Sequence, residues 1–164
     1  MKPAKLSELI ESLEFHSDEH SAWVDLETGR VVRLAHSLLE AVEDDGTVVP
    51  EDLPDWEAEE VDLARAVIRD SGERFVGGPD RFDFHEYRQM ERFIGTLEND
   101  TVAEELWRAI KGRGAFRYFK DAANRVGVLE QWFHYRGEAL RAFVRSWAET
   151  NQIPFVDDTD DVRN

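Results

Sequence analysis

The chain has 164 residues, 41% of them hydrophobic, with ten Phe and five Trp. That is enough for a packed core, at a length where folding buries roughly 70% of the unfolded surface. With no cysteine, disulfides, thiolate nucleophiles and Cys-ligated metals are excluded. A formal net charge of −16 argues against nucleic acid and anionic membranes as partners. No apolar run nears the roughly 18 residues of a membrane span, and Met1 opens into a polar amphipathic segment, so a soluble cytoplasmic protein is expected.

The N-terminal third alternates helix and strand signals. Leu6, Leu9, Ile10 and Leu13 recur at helical spacing and predict an amphipathic helix over 3–14. Two β-branched and aromatic runs, 22–26 and 31–34, flank Glu27-Thr28-Gly29-Arg30 and predict a hairpin near 22–34, with Gly29 supplying a positive φ. Leu38, Leu39 and Val42 predict a short helix ending before Asp45-Gly46, and a connector from Val48 to Pro54 follows. Between Arg33 and Arg65 stand eleven carboxylates and no Lys or Arg, which reads as a solvated, solubilising surface.

A helical body is expected over 55–150. Trp56, Val61, Ala64, Val67 and Ile68 mark its first helix, which stops at Ser71-Gly72, and Arg74-Phe75-Val76 reads as a short extended segment. Asp83 and Glu86 form a capping-box pattern with Phe82 and Tyr87 as its staple, before a helix that should bury Tyr87, Met90, Ile94 and Leu97. Thr101 and Glu104 form a second box, opening a helix that points Val102, Leu106 and Ile110 inward and stops at Gly112. Residues 114–126 should bury Ala115, Phe119, Ala122 and Val126, and Gly127 stops them. The last helix, 129–149, places Leu129, Phe133, Leu140, Phe143 and Trp147 in one stripe. Ile153-Pro154-Phe155 returns to the body, and 156–164 reads as an acidic disordered tail. These elements predict one mainly helical α+β domain over 1–155, with about six or seven helices and an N-terminal β-hairpin.

The best local candidate for a site is the segment 111–136. Residues 101–145 hold nine Lys and Arg against five Asp and Glu, reversing the sign of the rest of the chain. Arg113, Arg117 and Lys120 are spaced i, i+4, i+7 and share a helix face, either as a solvated face or as a site for phosphate or carboxylate. Arg117–Asp121 and Asp121–Arg125 have i, i+4 ion-pair spacing. Arg136 falls inside the apolar stripe, where a guanidinium must either extend to water along its stem or meet a carboxylate; an interhelical clamp to Asp121, the nearest candidate in sequence on the preceding helix, is the first reading and a ligand-binding Arg the second. Two motif matches are set aside. His16-Ser17-Asp18-Glu19-His20 fits the H-x-x-E-H pattern but falls in a connector rather than on a helix, so no metal is expected. Lys111 to Tyr118 imitates an RNA-recognition strand, yet Arg113 and Ala115 stand where aromatics belong and helix signals flank it.

Gly112-Arg113-Gly114-Ala115-Phe116, Phe119-Lys120-Asp121, Trp132 and Arg136 together resemble the pattern of uncharacterised protein family 0158. The resemblance extends back through Glu73-Arg74-Phe75-Val76, Tyr87, Met90-Glu91 and Phe93-Ile94 to Thr28-Gly29, covering roughly 20–155. It implies a unified domain and no particular activity. The expected function is therefore a non-catalytic cytoplasmic binding or regulatory module. Its candidate binding residues are Arg113, Phe116, Arg117, Lys120, Asp121, Trp132 and Arg136, and its partner an unidentified protein or small anionic ligand, with no cofactor. The alternative is an enzyme or nuclease-like protein on an anionic substrate, using Lys120 and Arg136 for charge stabilisation and Asp121 or His134 as base.

Overall fold

The computed structural model describes residues 1–15, 17–44 and 54–159. Its order is β1 (Ala4–Lys5), α1 (Leu6–Glu14), β2 (His20–Asp25), β3 (Val31–Ala35), α2 (His36–Glu43), α3 (Asp55–Arg69), β4 (Phe75–Gly77), α4 (Arg81–Phe84), α5 (Glu86–Gly95), α6 (Asp100–Ala109), α7 (Ala115–Arg125), α8 (Leu129–Thr150) and β5 (Phe155–Val156). The class is α+β and mainly helical, with the expected hairpin near the N-terminus. The chain forms two compact units, residues 1–80 with 144–164, and residues 81–143.

In the first unit, β2 pairs antiparallel with β3, Trp23 opposite Val32 and Val24 opposite Val31. The turn between them needs glycine: Gly29 has a φ of +76°, and a Cβ there would meet the Pro3 carbonyl oxygen at 2.4 Å. On its other edge β2 takes β4, with Asp25 opposite Phe75 and Trp23 opposite Gly77, so the extended segment expected near 74–76 becomes a third strand. Leu34, Ala64, Val67 and Phe75 form the core beneath, with Trp23, Leu38, Leu39 and Val42 packed against it.

Asp25 is 2% exposed at the β2 terminus. Arg74 reaches it with both arms of its guanidinium, Nε to Oδ1 at 3.0 Å and Nη2 to Oδ2 at 2.9 Å. That donation holds the Asp25 carboxyl below the usual aspartate range against the opposing effect of burial, and the Glu27 amide assists. Asp70 closes the α3–β4 loop by accepting from the amides of Gly72, Arg74 and Phe75.

The C-terminal segment is more ordered than its composition suggests. Val156 lies in β5, which runs parallel to β1 and pairs with Lys5. Asp157 accepts from Arg145 at 2.8 Å. Asp158 accepts from the Ser7 amide at 2.9 Å and the Ser7 hydroxyl at 2.5 Å, satisfying first-turn donors of α1. Residues 156–159 of the expected tail are therefore tied down, because strand pairing and helix capping offset their lack of apolar content. Residues 160–164 lie outside the described residues, as do most of the 48–54 connector and His16 of the H-x-x-E-H match. Ser17 to Glu19 run into β2, and His20 is its first residue.

The second unit is helical. α5 starts after His85, whose left-handed backbone (φ 54°) separates it from α4 and leaves the Asp83–Glu86 pattern without a side-chain cap. Tyr87 is 40% exposed rather than buried, and its hydroxyl donates to the Ile110 carbonyl at 3.1 Å. The α6 cap is Asn99, whose side chain accepts from the Thr101 and Val102 amides, and not Thr101. Met90, Phe93, Ile94, Leu106, Ile110, Ala115, Phe119, Ala122, Ala123 and Trp132 form the core.

Candidate functional site

Two glycines shape the segment that the sequence singles out. α6 ends at Ala109 with Ile110 as its C-cap; Gly112 (φ 91°) and Gly114 (φ 75°) then turn the chain back into α7 through backbone conformations that other residues adopt only with strain. Along α7, Ala115, Phe119, Ala122 and Ala123 face the core. By helical period, two flanks remain. Phe116, Arg117 and Lys120 occupy one, close to Arg113 in the turn; Tyr118, Asp121 and Arg125 occupy the other.

The flanks differ in shape. Arg113, Phe116, Arg117 and Lys120 are exposed, Phe116 by 48% of its surface, and no carboxylate lies within ion-pair distance of the three cations among the described residues. The opposite flank of α7 faces α6 across a cleft of about 530 Å³. Its lining combines Glu105 and Arg108 from α6, Lys111 from the turn, and Tyr118, Asp121 and Arg125 from α7, with Ala109 and Ala122 also contributing. Arg125 stands 3.6 Å from the Glu105 carboxylate, and Arg108 3.9 Å from Glu104. The i, i+4 pairs Arg117–Asp121 and Asp121–Arg125 do not form. Asp121 is exposed and belongs to the cleft.

The other two candidates serve the interior. Trp132 has no exposed surface and packs edge-on against Phe119 at 4.9 Å and Phe93 at 5.5 Å between centroids. Phe133, its neighbour in the predicted stripe, is 51% exposed, because the aromatic cluster accepts Trp132 instead. Arg136 has the fixed acceptor that its setting demands, and the acceptor is Glu86, not Asp121. Nε meets Oε1 at 2.5 Å and Nη2 meets Oε2 at 3.2 Å, a two-armed clamp between α8 and α5. The clamp is partly shielded, the side chains being 23% and 15% exposed. Glu86 carries the carboxylate to Arg136 from the first residue of α5, far from it in sequence, which is why spacing along the chain selected Asp121.

Of the seven candidates, then, four share one exposed flank, one lines a cleft on the other side, Trp132 is buried in the aromatic core and Arg136 pairs with Glu86. Glu105 and Arg108 escaped the sequence reading. The signal existed as an i, i+3 pair on α6 and as Tyr118, Asp121, Ala122 and Arg125 at i, i+3, i+4, i+7 on α7, but neither flank reveals which flank it faces. Among the described residues, no helix is long and apolar enough to cross a membrane.

These features define a mainly helical α+β protein with a basic-aromatic helix laid over an aromatic core, a class set by fold and surface rather than by a reaction. The chain belongs to uncharacterised protein family UPF0158, which matches residues 1–163 and so spans both compact units. No curated protein matches it. No solved structure matches it either.

Proposed function

We propose that this chain is a non-catalytic cytoplasmic binding module and that the exposed flank of α7 is its docking surface for an acidic segment of another protein. The observation that carries this reading is the grouping of Arg113, Arg117 and Lys120 beside Phe116 with no carboxylate among the described residues within ion-pair distance of them. In a protein of net charge −16, unneutralised cations on one short flank favour an acidic partner over a basic one. Phe116 adds apolar area of the kind that anchors interfaces. The continuous match over residues 1–163 supports treating the two units as one domain.

The enzymatic alternative is less well supported. Lys120 lies on the exposed flank, Asp121 in the cleft, and Arg136 is committed to Glu86, so the charges it would require do not converge. The test is to compare what co-purifies from the native cytoplasm with tagged wild type and with the Arg113→Ala/Arg117→Ala/Lys120→Ala variant. An acidic partner should be retained by the wild type, released by added salt and missing from the variant. Identical partner sets in the two samples would refute the assignment of this flank.

A further inference from the structure

The cleft between α6 and α7 has features that the docking flank does not explain. Lys111 has no carboxylate partner among the described residues. The Arg108 and Arg125 ion pairs are longer than hydrogen bonds, which leaves guanidinium donors available. On the acceptor side, Oε2 of Glu105 is shielded from water with the Arg125 guanidinium 3.6 Å away, beyond hydrogen-bond distance, while the Glu105 side chain as a whole is 41% exposed, and the Asp121 carboxylate has no ion-pair partner among the described residues.

Tyr118 completes the lining. Its ring is 56% exposed, and it rests on the Gly114 backbone, where a Cβ would stand 3.0 Å from Cε2. Gly114 thus permits both the turn and the position of the ring. The small side chains of Ala109 and Ala122 leave room beside it. The volume, about 530 Å³, lies within the range of roughly 300–1,000 Å³ usual for small-molecule sites.

We propose that this cleft binds a small molecule joining a phosphate to a flat ring that carries hydrogen-bond donors, the class to which nucleoside monophosphates belong. Lys111, Arg108 and Arg125 receive the phosphate, Tyr118 stacks on the ring, and Glu105 and Asp121 accept from the ring or sugar donors. An inorganic ion would leave the two carboxylates unanswered and bring negative charge towards them. A neutral ring would leave Lys111 unanswered. The three cations against two carboxylates give the lining a small positive balance in an acidic protein, which favours a ligand with both an anionic and a donor end.

Calorimetry on the full chain tests this with adenosine 5′-monophosphate, inorganic phosphate and adenosine as probes. The monophosphate should bind with a dissociation constant of about 100 μM or tighter, and each fragment about tenfold more weakly or worse. Lys111→Ala and Tyr118→Ala, both at exposed positions, should each weaken the monophosphate about tenfold. Arg117→Ala/Lys120→Ala should change it by less than about twofold at physiological salt, which separates this site from the docking flank. No binding of the monophosphate at about 1 mM would overturn the proposal. So would unchanged affinity in the Lys111 and Tyr118 variants, phosphate binding as tightly as the nucleotide, or an equal loss in the Arg117/Lys120 variant.

Discussion

Arg136→Ala removes one half of a clamp whose other half, Glu86, is only 15% exposed. At about 3 Å and an effective dielectric of about 20, the gross attraction is roughly 5 kcal/mol, most of it offset by the desolvation of both groups. Either single alanine variant should therefore cost about 2–4 kcal/mol, between the small worth of an exposed pair and the 3–5 kcal/mol of a fully buried one. The double variant Glu86→Ala/Arg136→Ala should lose much less than the sum, with a coupling of about 1–3 kcal/mol. Arg136→Lys keeps the charge but not the two-armed geometry, so it should recover only part of the loss. Urea melts of these proteins followed by circular dichroism supply the numbers. Because the pair is partly shielded, the coupling should survive in about 0.5 M salt, where exposed pairs fade. Additive single losses would refute the clamp. A neutral Arg136→Ala would go further, releasing Arg136 from its structural role and returning it to the candidate ligand-binding groups.

Asp25→Asn should cost about 2–3 kcal/mol near neutral pH, because it leaves Arg74 without its buried carboxylate. The Asp25 carboxyl titrates below the ordinary value of 3.8, so its contribution is complete above that value and is lost as pH falls through the lower folded value. The stability gap between wild type and variant should thus be flat above about pH 5 and shrink in stronger acid, and a gap that widened there would contradict the pairing. Gly29→Ala should cost roughly 1–3 kcal/mol in denaturant melts, through both the positive φ and the clash with the Pro3 carbonyl; a neutral result would mean that residues 2–3 do not cover the turn. Asp158→Ala should lose about 1 kcal/mol with the α1 donors left open, measurable as a lower melting temperature, and an unchanged melt would detach the C-terminal segment from α1. Trp132→Ala should cost about 3–5 kcal/mol, whereas Trp132→Phe should cost far less, since it keeps an aromatic ring and removes a buried indole N–H that has no hydrogen-bond partner among the described residues; equal losses would contradict that account.

Local pattern determined much of this protein. The apolar period of 115, 119 and 122 marks the buried face of α7, and the β-branched and aromatic runs around Gly29 mark the hairpin, because each depends on neighbours within one or two turns of the chain. Gly112 was legible as a helix stop for the same reason: a positive φ is a property of single residues. The anomaly of Arg136 was also visible, since a guanidinium in an apolar stripe must reach either water or a carboxylate whatever the fold. Its partner was not visible. Glu86 looked like a helix cap, and only the packing of α5 against α8 brings it to Arg136. The same limit applies to Trp132 and Phe133, adjacent aromatics of which the Phe93–Phe119 cluster selects one, and to β4, whose strand identity requires the free edge of β2. It applies equally to Asp158, an acidic residue in a polar tail until the start of α1 offers it two donors, and to the cleft, where two helix flanks that carry no mark of each other in sequence become opposite walls. Periodicity states which face of an element seeks cover; contacts between distant residues decide what covers it.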